Sequence, residues 1–239
     1  MLLKSSTKTT ATKNLSTIRK VFCLVSCYLL LAACTHPQNS SLAEAIKWYT
    51  GEMGMVDDRR ARQLLESAVE TGEPLAMMWL ARVYSTGRMT FPADKPKAVT
   101  IAESVIAEIE TLAHNANTEA MFLMGTAFAE GLAKPIDHSL AVFWYRQAAD
   151  KGNTLAIHNM GNVYASGTGV PQSDEQAVKW WREAATKGDA IPQLRMATMY
   201  EQGRGVKRDL EQAVGWYSQS ADRGNQAAAA ALVRLGISR

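Results

Sequence analysis

Apolar and small residues along this chain fall at helical intervals, and the stretch from 156 to 188 shows the pattern most cleanly. Ala156, Met160, Gly161 and Tyr164 line one face of a helix. Gly167-Thr168-Gly169-Val170 then breaks the periodicity, and Ala177, Trp180, Ala184 and Ala185 line the face of a second helix. Glycine accepts positive φ, so the run predicts a helix, a sharp turn and a returning helix, with Gly188 as a left-handed stop. Ser173 with Gln176, and Asp209 with Gln212, have the spacing of a capping box at the start of the second helix.

The unit recurs. Trp144, Trp180 and Trp216 stand 36 residues apart, as do Gly152, Gly188 and Gly224, and Ala141, Ala177 and Ala213. Tyr164 and Tyr200 keep the same step, with Phe128 one step earlier. The clearest units are 117–152, 153–188 and 189–224, and two degenerate ones precede them, 42–72 and 73–116. The first keeps Gly51, Asp57, Ala61, Ala68 and Gly72, with Trp48 in the tyrosine slot and Leu64 in the tryptophan slot. The second keeps Leu80, Ala81, Tyr84, Gly87, Asp94 and Ala98. Ala98 to Ala120 is a step of 22 residues where later units have 15. The excess predicts a second helix about two turns longer, through Ile101, Val105, Ile109 and Leu112. The alanine-rich stretch in 225–239 begins another unit without its partner and reads as a cap.

Neither helix of such a pair buries its apolar face alone, so successive pairs must stack. Alanine and glycine let the helices approach, with Tyr164 and Trp180 expected to fill the space beside them. The expected fold is all-α, an α-solenoid of about five αα-hairpins with a 36-residue period over 42–239, closed by a C-terminal capping helix. The units combine Ala156-x3-Met160-Gly161-x2-Tyr164-x2-Gly167-x-Gly169-Val170 with Ser173-x3-Ala177-x2-Trp180-x3-Ala184-Ala185-x2-Gly188. This pattern resembles the Sel1-like repeat, a relative of the tetratricopeptide repeat, most strongly from Ala120 to Gly224. The resemblance implies a right-handed solenoid and a role as a scaffold for protein–protein or glycan interactions in envelope assembly, secretion or host interaction.

The amino-terminal segment changes the picture of compartment. Lys4, Lys8, Lys13, Arg19 and Lys20 precede an apolar run from Val21 to Ala33, and 1–33 contains no acidic residue. Thirteen residues are too few to span a bilayer, which takes about 20, but they suit a signal peptide. Leu31-Ala32-Ala33-Cys34 resembles the bacterial lipobox, which implies lipidation of Cys34 and a short polar tether over 34–41. By resemblance to Gram-negative lipoproteins, Thr35 in place of Asp implies anchoring at the outer membrane, facing the periplasm. An ordinary signal cut near Ala33 and an uncleaved anchor are the alternatives. Without 1–33 and its five basic residues, Lys+Arg falls from 26 to 21 against 23 acids, so the formal charge moves from +3 to −2. A near-neutral body gives no basic footprint for nucleic acid.

Little of the sequence carries chemistry. His36, His114, His138 and His158 have no metal-ligand spacing, and no catalytic residue, metal or cofactor is expected. His158 shares its slot with Phe122 and Leu194, so a partly buried structural histidine is expected there. The Gly167-Thr168-Gly169 and Gly203-Arg204-Gly205 elements recur with the repeat and read as turns rather than phosphate cradles. Some cysteine-rich Sel1-like proteins are described as penicillin-binding or weak β-lactamases, which makes a hydrolase the alternative function. Those relatives carry a disulfide in each repeat, whereas the cysteines here are Cys23, Cys27 and Cys34. The candidate binding surface is a polar stripe beside the core face of the first helices. Asn159, Asn162 and Ser166 form it in one unit, Arg195, Thr198 and Gln202 in the next, and Leu123, Thr126 and Glu130 in the one before. Asn159, Asn162, Arg195, Thr198 and Thr126 are its proposed contacts, and two amides with an arginine suit a peptide or carboxylate partner.

Overall fold

The computed structural model describes residues 40–237, so the signal segment, Cys34 and His36 lie outside the described residues. Among the described residues the chain is entirely helical, with eleven α-helices and no strand. They are α1 (Ser40–Thr50), α2 (Asp58–Glu70), α3 (Pro74–Thr86), α4 (Lys95–His114), α5 (Thr118–Glu130), α6 (His138–Ala149), α7 (Thr154–Ser166), α8 (Asp174–Thr186), α9 (Ala190–Gln202), α10 (Leu210–Asp222) and α11 (Gln226–Arg234). Odd-numbered helices open each hairpin and even-numbered ones return, giving five hairpins and a terminal helix. α4 runs for 20 residues, as the long step from Ala98 to Ala120 predicts. α1 already contains Ser40 and Ser41, which the composition alone assigned to the tether.

One backbone hydrogen bond recurs in every hairpin. The amide N–H of the residue capping the second helix donates to the carbonyl of the aromatic in the tyrosine slot. The five are Asp57 to Trp48 (3.1 Å), Asp94 to Tyr84 (2.7 Å), Asp137 to Phe128 (3.1 Å), Ser173 to Tyr164 (2.9 Å) and Asp209 to Tyr200 (2.9 Å). Each pins the end of one helix to the start of the next and satisfies polar groups that the turn would leave bare. It also corrects the capping box. The Ser173 hydroxyl does accept from the Gln176 amide, but the N–H that the box assigns to the glutamine side chain goes to Tyr164 instead.

The core follows the same repetition, shifted by one residue from the expectation. The large side chain that fills each of the last three hairpins against its first helix is the successor of the tryptophan at the 36-residue step. Tyr145, Trp181 and Tyr217 are buried, with Leu65 and Ala102 in the same slot of the first two hairpins. At the step itself Trp144 is buried as well, whereas Trp180 and Trp216 remain half-exposed at the rim. On a helix, adjacent residues point about 100° apart, so Trp180 and Trp181 cannot both face the first helix.

Room for Trp181 comes from Gly161. A methyl added at Gly161 would overlap the indole, with Trp181 Cγ only 2.8 Å away. Gly125 makes the same allowance for Tyr145, whose Cγ lies 3.0 Å from such a methyl. The second glycine of the turn has a different reason. At Gly169 (φ +76°) a Cβ would stand 2.6 Å from the His138 carbonyl, where the turn presses on the start of the preceding second helix. In the earlier repeats Ala133 and Met89 hold that position with positive φ themselves. The left-handed stop at Gly188 is present, at φ +98°.

The same substitution therefore has opposite effects at two helical glycines. Gly161→Ala is expected to lower unfolding free energy by about 1–3 kcal/mol through overpacking. Gly215→Ala, in α10 with nothing near its Cβ, is expected to raise it by about 0.5–1 kcal/mol. Denaturant unfolding of both variants checks the pair, and stabilisation by Gly161→Ala would contradict the close packing.

Candidate interaction surface

The polar stripe divides into residues committed to packing and residues left to solvent. Thr126, Asn162 and Thr198 occupy one slot, two residues before the aromatic of the tyrosine slot. Each faces the buried aromatic of its own second helix. The Trp181 indole N–H donates to Asn162 Oδ1 at 3.2 Å, the Tyr145 hydroxyl donates to Thr126 Oγ1 at 3.4 Å, and the Thr198 and Tyr217 hydroxyls lie 3.4 Å apart. A buried indole or phenol needs such a partner, which is why a polar residue recurs there. Burial holds the Tyr145 hydroxyl up at about 12, against the Thr126 hydrogen bond, which acts to lower it.

Thr126 is thus removed from the candidate contacts, because only 1% of it is exposed. Leu123 beside it is fully buried. Asn162 and Thr198 are half-exposed, with Asn162 Oδ1 and the Thr198 hydroxyl engaged. Arg195 is exposed, its guanidinium 5.9 Å above the Trp181 ring, and Asn159 is half-exposed one repeat earlier. Ser166 and Gln202 are exposed too. The stripe is covered over α5 and open over α7 and α9.

The covered end contains a charged cluster that the sequence reading missed. Arg82 occupies the same slot as Thr126 and Asn162, one repeat earlier, and is 5% exposed. Its guanidinium carbon lies 4.5 Å from the Trp79 ring centroid, 5.2 Å from Phe122 and 5.5 Å from Tyr49. Cation–π attraction compensates in part for the lost hydration of that charge. Glu119 accepts from the Trp79 indole at 2.6 Å and from the Asn153 amide at 2.9 Å. Desolvation pushes its carboxyl above the usual glutamate range, against those two hydrogen bonds and the Arg82 charge. The signal for Arg82 lies in the register of the worn second repeat, where it stands two residues before Tyr84 as Thr126 does before Phe128.

Polar links of this kind run from repeat to repeat. Asn153, which caps α7, holds Glu119 of α5. Asp189, which caps α9 and is 2% exposed, meets His158 Nδ1 of α7 at 3.1 Å. His158 is therefore the structural, partly buried histidine that its slot predicts. Glu201 of α9 accepts from the Tyr217 hydroxyl at 2.6 Å and pairs with Arg234 of α11 at 2.7 Å. Arg234 chiefly, then Tyr217, holds its carboxyl below the ordinary range. Among the described residues no three or more metal-ligating side chains come together.

The Sel1 repeat family model matches residues 42–72, 74–101, 118–153, 154–189 and 193–225. Among solved structures the chain is similar to c5321, a protective antigen of uropathogenic Escherichia coli with an SLR fold. That match has 26% identity and a TM-score of 0.50, over 84% of this chain and 49% of the antigen. It is similar also to a Sel1 repeat protein from Oxalobacter formigenes, at 32% identity over 75% of this chain and 50% of the other, with a TM-score of 0.49. An immunity protein, Pa5087, of Pseudomonas aeruginosa matches at 22% identity over 78% and 68%, with a TM-score of 0.44. The chain spans about half the length of the first two. No curated protein matches it.

Glu119 gives a pH signature. Its carboxyl is raised on folding, so its contribution to stability is present below the ordinary glutamate pKa and lost as pH rises through the folded value. Wild type and Glu119→Gln are expected to melt alike in acid, with the wild type falling behind as pH approaches neutrality. Melting curves for both across that window check the sign, and a constant gap would refute it.

Proposed function

The chain belongs to the Sel1 repeat family, and we propose that it serves as a protein-binding scaffold tethered to the bacterial envelope through lipid on Cys34. The observation that carries the binding role is the open stretch of polar surface over α7 and α9, where Arg195 projects into solvent beside Asn159. In the neighbouring hairpin the slot they share is closed, since Leu123 is buried, as is Thr126 one turn away. An exposed guanidinium resting over an indole is held in place by that contact, which reduces the entropy lost when it pairs with a carboxylate or a peptide carbonyl. The proposed occupant is a protein or peptide segment presenting acceptor groups, laid along the first helices. No basic patch recommends nucleic acid.

The tether rests on the basic flank, the short apolar run and Leu31-Ala32-Ala33-Cys34. Each buried acyl CH₂ adds roughly 0.8 kcal/mol of membrane affinity, so two or three chains on Cys34 would hold the protein at a bilayer surface. Thr35 favours the outer membrane, facing the periplasm. Work in envelope assembly, secretion or host contact is the context this arrangement suits.

Two experiments test the parts separately. A photo-crosslinking side chain placed at Asn159 in cells is expected to capture a protein, and Arg195→Ala to reduce the yield by on the order of tenfold, as for one charge-assisted contact. Crosslinked species that persist unchanged with Arg195→Ala would remove that surface from consideration. Metabolic acyl labelling is expected to mark the wild type and to vanish in Cys34→Ala; label retained by that variant would overturn the anchor.

A further inference from the structure

Repeat arrays ordinarily couple each unit only to its neighbours. This one does not. The turn between α1 and α2 meets the far end of the fifth hairpin. Arg223, just past α10, donates from Nη1 to the Gly51 carbonyl at 2.8 Å, across 172 residues of sequence. The Val56 amide donates back to the Arg223 carbonyl at 2.8 Å. Gly51 is buried, and a Cβ there would stand 3.7 Å from the Cβ atoms of both Ala190 and Arg223. The guanidinium lies over Gly188, where a side chain would meet Arg223 Nη2 at 3.2 Å. Three backbone groups and a cation thus meet these partners only when first and last hairpins touch.

We propose that the five hairpins form a closed array clasped by Arg223, in which the first hairpin depends on the fifth for its stability. Physical sense supports this. The first repeat is among the most degenerate, and among the described residues no hairpin precedes α1. A contact with the last hairpin supplies the second neighbour that internal repeats have on both sides. Closure also fixes the spread of the first helices, so the span between them is set by a latch rather than by the bending of a spring. The clasp involves no partner, and its tests are independent of the interaction surface proposed above.

Hydrogen exchange of the full chain gives the first test. Peptides covering 51–57 are expected to be protected in the wild type and to exchange on the order of tenfold faster in Arg223→Ala, with α6 to α8 unchanged and Arg223→Lys intermediate. Equal exchange at 51–57 in wild type and Arg223→Ala would overturn the clasp. If Arg223→Ala fails to fold, a cysteine pair decides. Gly51→Cys with Ala190→Cys places two Cβ atoms 3.7 Å apart, inside the range of about 3.5–4.5 Å that a disulfide needs. Under oxidation the peptides carrying positions 51 and 190 are expected to be recovered linked. A folded double variant whose two thiols stay free would show that the ends stand apart in solution.

Discussion

An amphipathic helix in water must cover its apolar face, and a hairpin of two such helices covers only part of each. Everything in this chain follows from how closely the two helices of a pair can approach. That distance is set where Trp181 lies against Gly161 and Tyr145 against Gly125, with no Cβ between. A close approach leaves no space for water, so any polar atom on the buried aromatic must find its partner within the protein. Asn162 and Thr126 supply it. The stripe slot that looked free for binding is thus half spent on packing, and the two facts have one cause.

The turn reflects the same constraint. A hairpin that packs tightly has a short connection, and a short connection strands amide groups near apolar side chains. The recurring bond from the second helix's capping residue to the aromatic's carbonyl removes that cost in all five units. Where first helices face one another, charged and polar side chains do the joining: Glu119 with Asn153, His158 with Asp189, Glu201 with Arg234. These contacts differ in every repeat, which gives each junction its own identity in an otherwise uniform stack. They leave an asymmetric molecule, closed and aromatic around Arg82 and open and polar around Arg195. The open end is the one where a partner would displace water rather than core.

Much of this architecture was legible in the residues themselves. Helix number, the five pairs, the terminal helix and the long α4 follow from spacing, because a helix of fixed pitch converts sequence distance into position on a face. Membership of the Sel1 repeat family follows from the same spacings. The role of His158 was also legible, since its slot is apolar in both neighbouring repeats. The buried tryptophan was misassigned because the 36-residue step marks equivalent positions and not depth. Trp180 recurs and Trp181 is replaced by tyrosine, yet Trp181 is the one inside.

What the sequence by itself determined is therefore the periodic part of the molecule: which segments are helical, how they pair, and where glycine must stand. The tertiary structure decided what periodicity does not encode. It buried Thr126 and Arg82, gave Asn162 to Trp181, left Arg195 outside, and brought Arg223 to Gly51. The physical reason is that each repeat contributes a small rotation relative to the last. Those rotations add along the stack, so their sum over five repeats, and the contact it closes, is written in no single unit.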